Sequence, residues 1–104
     1  MKHICIQYTV HPDVDLDELK CEIAGFVAGI GAQDPTHRYI SFQRTEDPRQ
    51  FIHIGAFDGE ALPSFQEELF FKRFTTYLRE RCAAGPEVSE LNRVASTNDT
   101  RLDT

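Results

Sequence analysis

Imidazole is the side chain whose charge changes between pH 5 and 8, so the four histidines carry most of the proton-transfer chemistry open to this sequence. They are His3, His11, His37 and His53. Three of them stand at the ends of candidate strands, where exposure is expected. His53 differs, because it lies in mid-strand between Phe51 and Phe57 on the parity opposite Ile52 and Ile54. Alternation along a strand would project it into a cavity with Tyr39 or Tyr77 nearby. Two readings of His53 stand: a base, with Tyr39 or Asn92 as orienters, or a half-buried structural histidine that makes a single hydrogen bond.

Other chemistries find less support. A zinc site needs several converging ligands, and the chain has no H-x-x-x-H, no H-E-x-x-H and no cysteine pair, so no metal is expected. Cys5, Cys21 and Cys82 are odd in number and lack C-x-x-C spacing, which disfavours a disulfide framework. They read as buried reduced thiols, and none has a histidine beside it in sequence to make it a nucleophile. Gly25, Gly29 and Gly31 fall inside or at the end of a helix, not between a strand and a helix, so they do not form a phosphate loop. The aromatic set Phe65, Phe70, Phe71, Phe74 and Tyr77 has two compatible readings: a plain core or dimer contact, or the wall of an aromatic ligand pocket.

The elements that must position these residues follow from periodicity. His3 to Val10 alternates, with Ile4, Ile6, Tyr8 and Val10 on one face. After His11-Pro12, Asp15 and Glu18 have capping-box spacing. Leu16, Leu19, Ile23, Phe26, Val27 and Ile30 then form one apolar stripe on a helix expected to end at Gly31. Arg38 to Thr45 and Arg49 to Phe57 read as a hairpin across Glu46-Asp47-Pro48. In it, Ile40 and Phe42 match Ile52, Ile54 and Ala56, while Tyr39, Ser41, Gln43, Phe51, His53 and Phe57 take the other faces. Helices can cover one side, so the mixed aromatic and polar side is expected to need a ligand, a partner subunit or both. A second helical region runs from Asp58-Gly59, offset near Pro63-Ser64, to Arg81. Gly85-Pro86 is expected to separate it from a last strand, Glu87 to Ala95.

The order is β-α-β-β-α-β, a ferredoxin-like α+β arrangement with an antiparallel sheet. Residues 1–96 are expected to form one domain and residues 97–104 a flexible tail. At 104 residues the chain buries only about two-thirds of its unfolded surface, which makes dimerisation an attractive way to complete the core. Its charge of -6 with scattered Lys and Arg argues against nucleic acid. No apolar run is long enough for a membrane span, and Met1-Lys2-His3 runs into a strand without the layout of a signal peptide, so a cytoplasmic location is expected.

Within that order the sequence resembles the antibiotic biosynthesis monooxygenase family of dimeric α/β barrels. The likeness is carried by the opening strand ending in His11-Pro12, the first helix and the hairpin ending in Phe57. It continues in Asp58-Gly59-Glu60-Ala61-Leu62 and in Phe71-Lys72-Arg73-Phe74 before the last strand, spanning roughly residues 3 to 96. What the resemblance implies is a homodimer with sheets face to face and a pocket between sheet and helices in each subunit. It also implies oxidation of quinol or polycyclic aromatic substrates by molecular oxygen without metal or flavin. Active members often carry a Trp at the end of the third strand and a His near the second long helix. Those places align here with Phe57 and with Phe65 or Phe70, and the missing imidazole argues against the haem-degrading branch.

Two functions are therefore expected to compete. One is a cofactor-independent monooxygenase acting on a quinol-like or aromatic small molecule, with His53 as base and Tyr39, Phe57, Phe65, Phe70, Phe74, Tyr77 and Asn92 around the substrate. The other is a non-catalytic dimeric binding or interaction module of the same fold.

Overall fold

The structure is a computed structural model and describes residues 2–34, 36–57 and 68–97. Strand β1 (Lys2–Val10) leads to helix α1 (Leu16–Gln33), the hairpin strands β2 (Arg38–Gln43) and β3 (Gln50–Phe57), helix α2 (Leu69–Arg81) and strand β4 (Cys82–Leu91). The strands form one antiparallel sheet in the order β2-β3-β1-β4, which is the ferredoxin-like α+β fold. None of the described helices is long and apolar enough to cross a membrane.

Local chemistry accounts for most boundaries. Asp15 caps α1, its carboxylate accepting from the Asp17 and Glu18 amides at 3.0 and 3.2 Å. The helix does not stop at Gly31 but continues through Ala32 and Gln33, with Asp34 extended as its C-cap. Pro35 disfavours helical geometry in the residue before it, so the proline and not the glycine sets the end. The Arg49 guanidinium donates to the carbonyls of His11 (3.1 Å) and Val14 (2.6 Å), fixing the β1–α1 turn against the hairpin.

The last strand departs from the expectation more strongly. It begins at Cys82, directly after α2, and ends at Leu91 instead of Ala95. Val10 pairs with Cys82 and Thr9 with Ala84, and after register shifts Gln7 to His3 pair with Glu87 to Leu91. Gly85 makes this possible. Its φ is 85°, and a Cβ there would stand 2.7 Å from the Gln7 carbonyl oxygen, so only glycine fits the bulge. An edge strand also tolerates the missing amide of Pro86. Read from sequence alone, Gly-Pro signals a break; here the pairing with β1 overrides it.

The two faces of the sheet exchange the roles expected of them. Tyr8 and Val10 from β1 and Phe51, His53 and Phe57 from β3 are buried beneath the helices, where they meet Leu19, Ile23, Phe26, Ile30, Phe74 and Leu78. The mixed aromatic and histidine face is therefore the helix-covered one. The face bearing Ile40, Phe42, Ile52 and Ile54 has no covering element among the described residues. Phe42 is 46% exposed, and the three isoleucines are only half-buried.

Two smaller expectations are also corrected. His37 is buried, its ring edge-on to Phe57 at 4.9 Å. Of the three free thiols, Cys5 is buried, Cys82 is half-buried and Cys21 is exposed. The second helical region before Glu68, including Asp58–Leu62, Pro63-Ser64 and Phe65, lies outside the described residues, as does the tail from residue 98.

Candidate functional site

The sheet register brings His53 to a point that two tyrosines can reach. β3 runs between β1 and β2. His53 stands opposite Ile6 on one side and Ser41 on the other, so Tyr8 and Tyr39 approach along diagonals from the flanking strands. Diagonal cross-strand neighbours lie within reach of an aromatic side chain. Tyr8 Oη is 2.8 Å from His53 Nε2, and Tyr39 Oη is 2.8 Å from His53 Nδ1. Both ring nitrogens are thus engaged, one by each tyrosine.

Gly55 makes room for this arrangement. A Cβ at Gly55 would lie 2.6 Å from the Phe57 ring and 2.9 Å from the Tyr39 ring, both far below van der Waals contact. The missing side chain lets Tyr39 lie across the backbone of β3 with its hydroxyl at His53. Phe57, buried behind Tyr39 with ring centroids 6.3 Å apart, holds the other side of that ring.

Above the three polar rings sits an aromatic layer. Phe26 of α1 and Phe74 of α2 stack at 4.2 Å and 12°, Phe26 meets Tyr39 edge-on at 5.5 Å, and Phe74 lies 6.1 Å from the His53 ring. Beneath this layer is a cavity of about 100 Å³ lined by His53, Tyr39, Phe26, Phe71, Phe74 and Leu78, with Arg79 also on its wall. A wider slot of about 500 Å³ opens between α1 and α2 and is walled by Phe70, Phe74, Tyr77 and Arg73. The Phe26–Phe74 stack is common to both spaces. A polar groove of about 760 Å³ elsewhere, beside His11, Glu18 and Arg81, does not include His53.

Burial sets the charge state of the site. His53 is 1% exposed, and removal from water pushes its pKa from 6.5 down to about 4, so the imidazole is neutral at pH 7. The same effect pushes the Tyr8 hydroxyl up, with the neighbouring Tyr39 adding to it, and raises Tyr39 as well. All three groups are uncharged in neutral solution. Among the described residues no cluster of three or more His, Cys, Asp or Glu could hold a metal ion.

The residues singled out from the sequence are distributed as follows. His53, Tyr39 and Phe74 meet at the inner cavity, and Phe70 and Tyr77 at the outer slot. Tyr77 does not reach His53: its hydroxyl donates to the Glu18 carboxylate at 3.2 Å, and the Arg81 guanidinium lies 3.7 Å above its ring. Asn92 is exposed and stands beyond the end of β4. Tyr8 and Phe26 belong to the site without having been assigned to it. Tyr8 shares its strand face with Ile6, the partner of His53, but that partnership is a matter of register and is not written in either strand alone.

No protein-family profile and no curated protein matches this chain by sequence. Solved structures match its fold over nearly the whole length. An antibiotic biosynthesis monooxygenase is 18% identical with a TM-score of 0.77, covering 91% of this chain and all of that one. The cofactor-independent oxygenase SnoaB of Streptomyces nogalater is 17% identical with a TM-score of 0.76, covering 94% of this chain and 97% of its own. A Pseudomonas aeruginosa protein is 22% identical with a TM-score of 0.73, covering 90% and 94%. The chain has the ferredoxin-like fold of the antibiotic biosynthesis monooxygenases, and at these identities the likeness is one of fold.

Proposed function

We propose that this protein is a cofactor-independent monooxygenase that takes a quinol-like or other phenolic small molecule into the space between its sheet and its helices. The observation that carries this reading is the buried Tyr8–His53–Tyr39 chain, opening on an aromatic cavity in the fold that SnoaB also has. The substrate's own anion would supply the electron to oxygen. The protein would contribute desolvation by Phe26, Phe71 and Phe74, and orientation by the polar chain. His53 lines the cavity, with each ring nitrogen 2.8 Å from a tyrosine hydroxyl. With a pKa of about 4 it is a weak base, so its larger part is to hold Tyr39 in place. The cavity is smaller than the 300–1,000 Å³ or so usual for ligand sites, which favours a one-ring substrate unless Phe26 and Phe74 part.

Oxygen uptake by the purified protein with a panel of quinols and phenols tests the proposal. Saturable uptake that resists chelators and falls tenfold or more in His53→Ala, which releases Tyr39, is expected, in line with the usual cost of a misplaced orienting group. Uptake no faster than the spontaneous rate would leave the second reading, a binding module of the same fold. The withdrawal of His53 to 1% exposure favours that alternative.

The open face of the sheet supports a homodimer, assembled in the cytoplasm by burying Phe42, Ile40, Ile52 and Ile54 against a second copy. Sedimentation velocity is expected to give twice the chain mass for the wild type and the single chain mass for Phe42→Glu. A wild-type monomer at tens of micromolar would dismiss the pairing.

A further inference from the structure

The hydrogen bonds around His53 have a direction, and the direction determines what the cavity offers a ligand. A neutral imidazole has one N–H donor and one bare acceptor nitrogen. Both His53 nitrogens lie 2.8 Å from a tyrosine oxygen, so one tyrosine must donate to the ring and the other must accept from it. Only two arrangements satisfy this. Either Tyr8 donates to Nε2 and Nδ1–H donates to Tyr39, or Tyr39 donates to Nδ1 and Nε2–H donates to Tyr8.

The second arrangement leaves the Tyr8 hydroxyl proton without an acceptor. Tyr8 is 4% exposed, stacked on Phe51 at 5.6 Å, and its hydroxyl has no partner but His53 among the described residues. An unmet proton there carries the full desolvation penalty of a buried donor, which favours the first arrangement by about tenfold or more. In that arrangement the spare proton belongs to Tyr39, which lines the cavity where Tyr8 does not. Water or a ligand can meet it there.

We propose that Tyr39, with its oxygen held by the Nδ1–H of His53, presents its hydroxyl proton to the inner cavity as the donor for an oxygen acceptor on the bound molecule. The ligand class is thereby narrowed to aromatic compounds with a carbonyl, phenolate or related anionic oxygen. Among the described residues that line the cavity none is a carboxylate, and Arg79 is the one Lys or Arg. Tyr8 and His53 are positioning residues in this scheme, since they act through Tyr39. The inference rests on the reading of this cavity as a small-molecule site, and it narrows the phenolic substrate of that reading to one bound through its oxygen as acceptor.

Two measurements on the full chain test it. Long-range proton–nitrogen NMR of histidine-labelled protein at neutral pH reports the tautomer of His53 without any variant. The expected result is a protonated Nδ1 and a bare Nε2, and a protonated Nε2 would overturn the proposal. NMR titration with benzaldehyde and with toluene, which have the same ring but differ in the acceptor, reads the donor directly. Benzaldehyde is expected to bind about tenfold tighter than toluene, with that ratio falling to near one in Tyr39→Phe. Equal binding in the wild type, or an undiminished ratio in the variant, also overturns it. If neither compound binds, the cavity loses its ligand and the small-molecule reading falls with the ligand half of the proposal. The tautomer still decides whether the chain runs from Tyr8 to Tyr39.

Discussion

Phe74→Ala is expected to lower folding stability by about 3–5 kcal/mol, the usual cost of truncating a buried phenylalanine. Phe74 is the point at which α2, α1 and the sheet meet: it is 6% exposed, stacked on Phe26 at 4.2 Å and lies over the His53 ring. Three losses combine in the variant. The transfer energy of the ring disappears, a cavity opens, and the stacked pair gives up about 0.5–1.5 kcal/mol beyond its area. Because Phe74 walls both the inner cavity and the outer slot, its removal also joins the two spaces, and the surroundings cannot collapse to fill them. Urea unfolding followed by circular dichroism measures the change. A loss below about 1 kcal/mol would mean that α2 is not seated on the sheet as described.

Stability is also expected to fall by about 3 kcal/mol as pH drops from about 6.5 to about 4. His53 is neutral in the folded protein, with its pKa lowered from 6.5 to about 4 by burial, whereas the unfolded chain takes up the proton near 6.5. Between those values the unfolded state binds more protons, so folding free energy rises with pH through the window. The contribution is fully present above about 6.5, is lost on the way down, and levels off below about 4. Tyr8 from β1 and Tyr39 from β2 face the ring, and burial pushes both up, so they stay neutral throughout. Neither tyrosine facing His53 therefore titrates in the same interval. Urea midpoints at pH 7.5, 5.5 and 4, compared with those of His53→Gln, isolate the effect, since the remaining histidines and carboxylates are common to both proteins. Parallel pH profiles for the two would show that His53 is not buried neutral.

Much of this arrangement is legible in the residues themselves. The alternation of β1, the cap at Asp15, the apolar stripe of α1 and the parity of the hairpin are set within a few residues, and the structure reproduces them. His53 and Tyr39 could be paired from parity because β2 and β3 are joined by a short turn that constrains their register. The errors occur where distant segments compete with local signals. Gly85-Pro86 reads locally as a stop, but the hydrogen bonds of β1 extend the strand through it. The end of α1 is a local conflict instead: Gly31 signals a stop, but the helix runs on to Gln33 and Asp34, the residue before a proline, is extended.

What this sequence determines by itself is therefore the order of its elements, the two faces of each strand and the presence of one histidine in an apolar strand. The tertiary structure alone decides which face the helices cover. Both faces carry enough apolar surface to be buried, and only the seating of Phe26, Phe74 and Leu78 selects the one that holds His53. It also decides that Tyr8, 45 residues away, completes the chain on that histidine. A hydrogen bond between groups so far apart depends on strand order and register, which no local periodicity encodes.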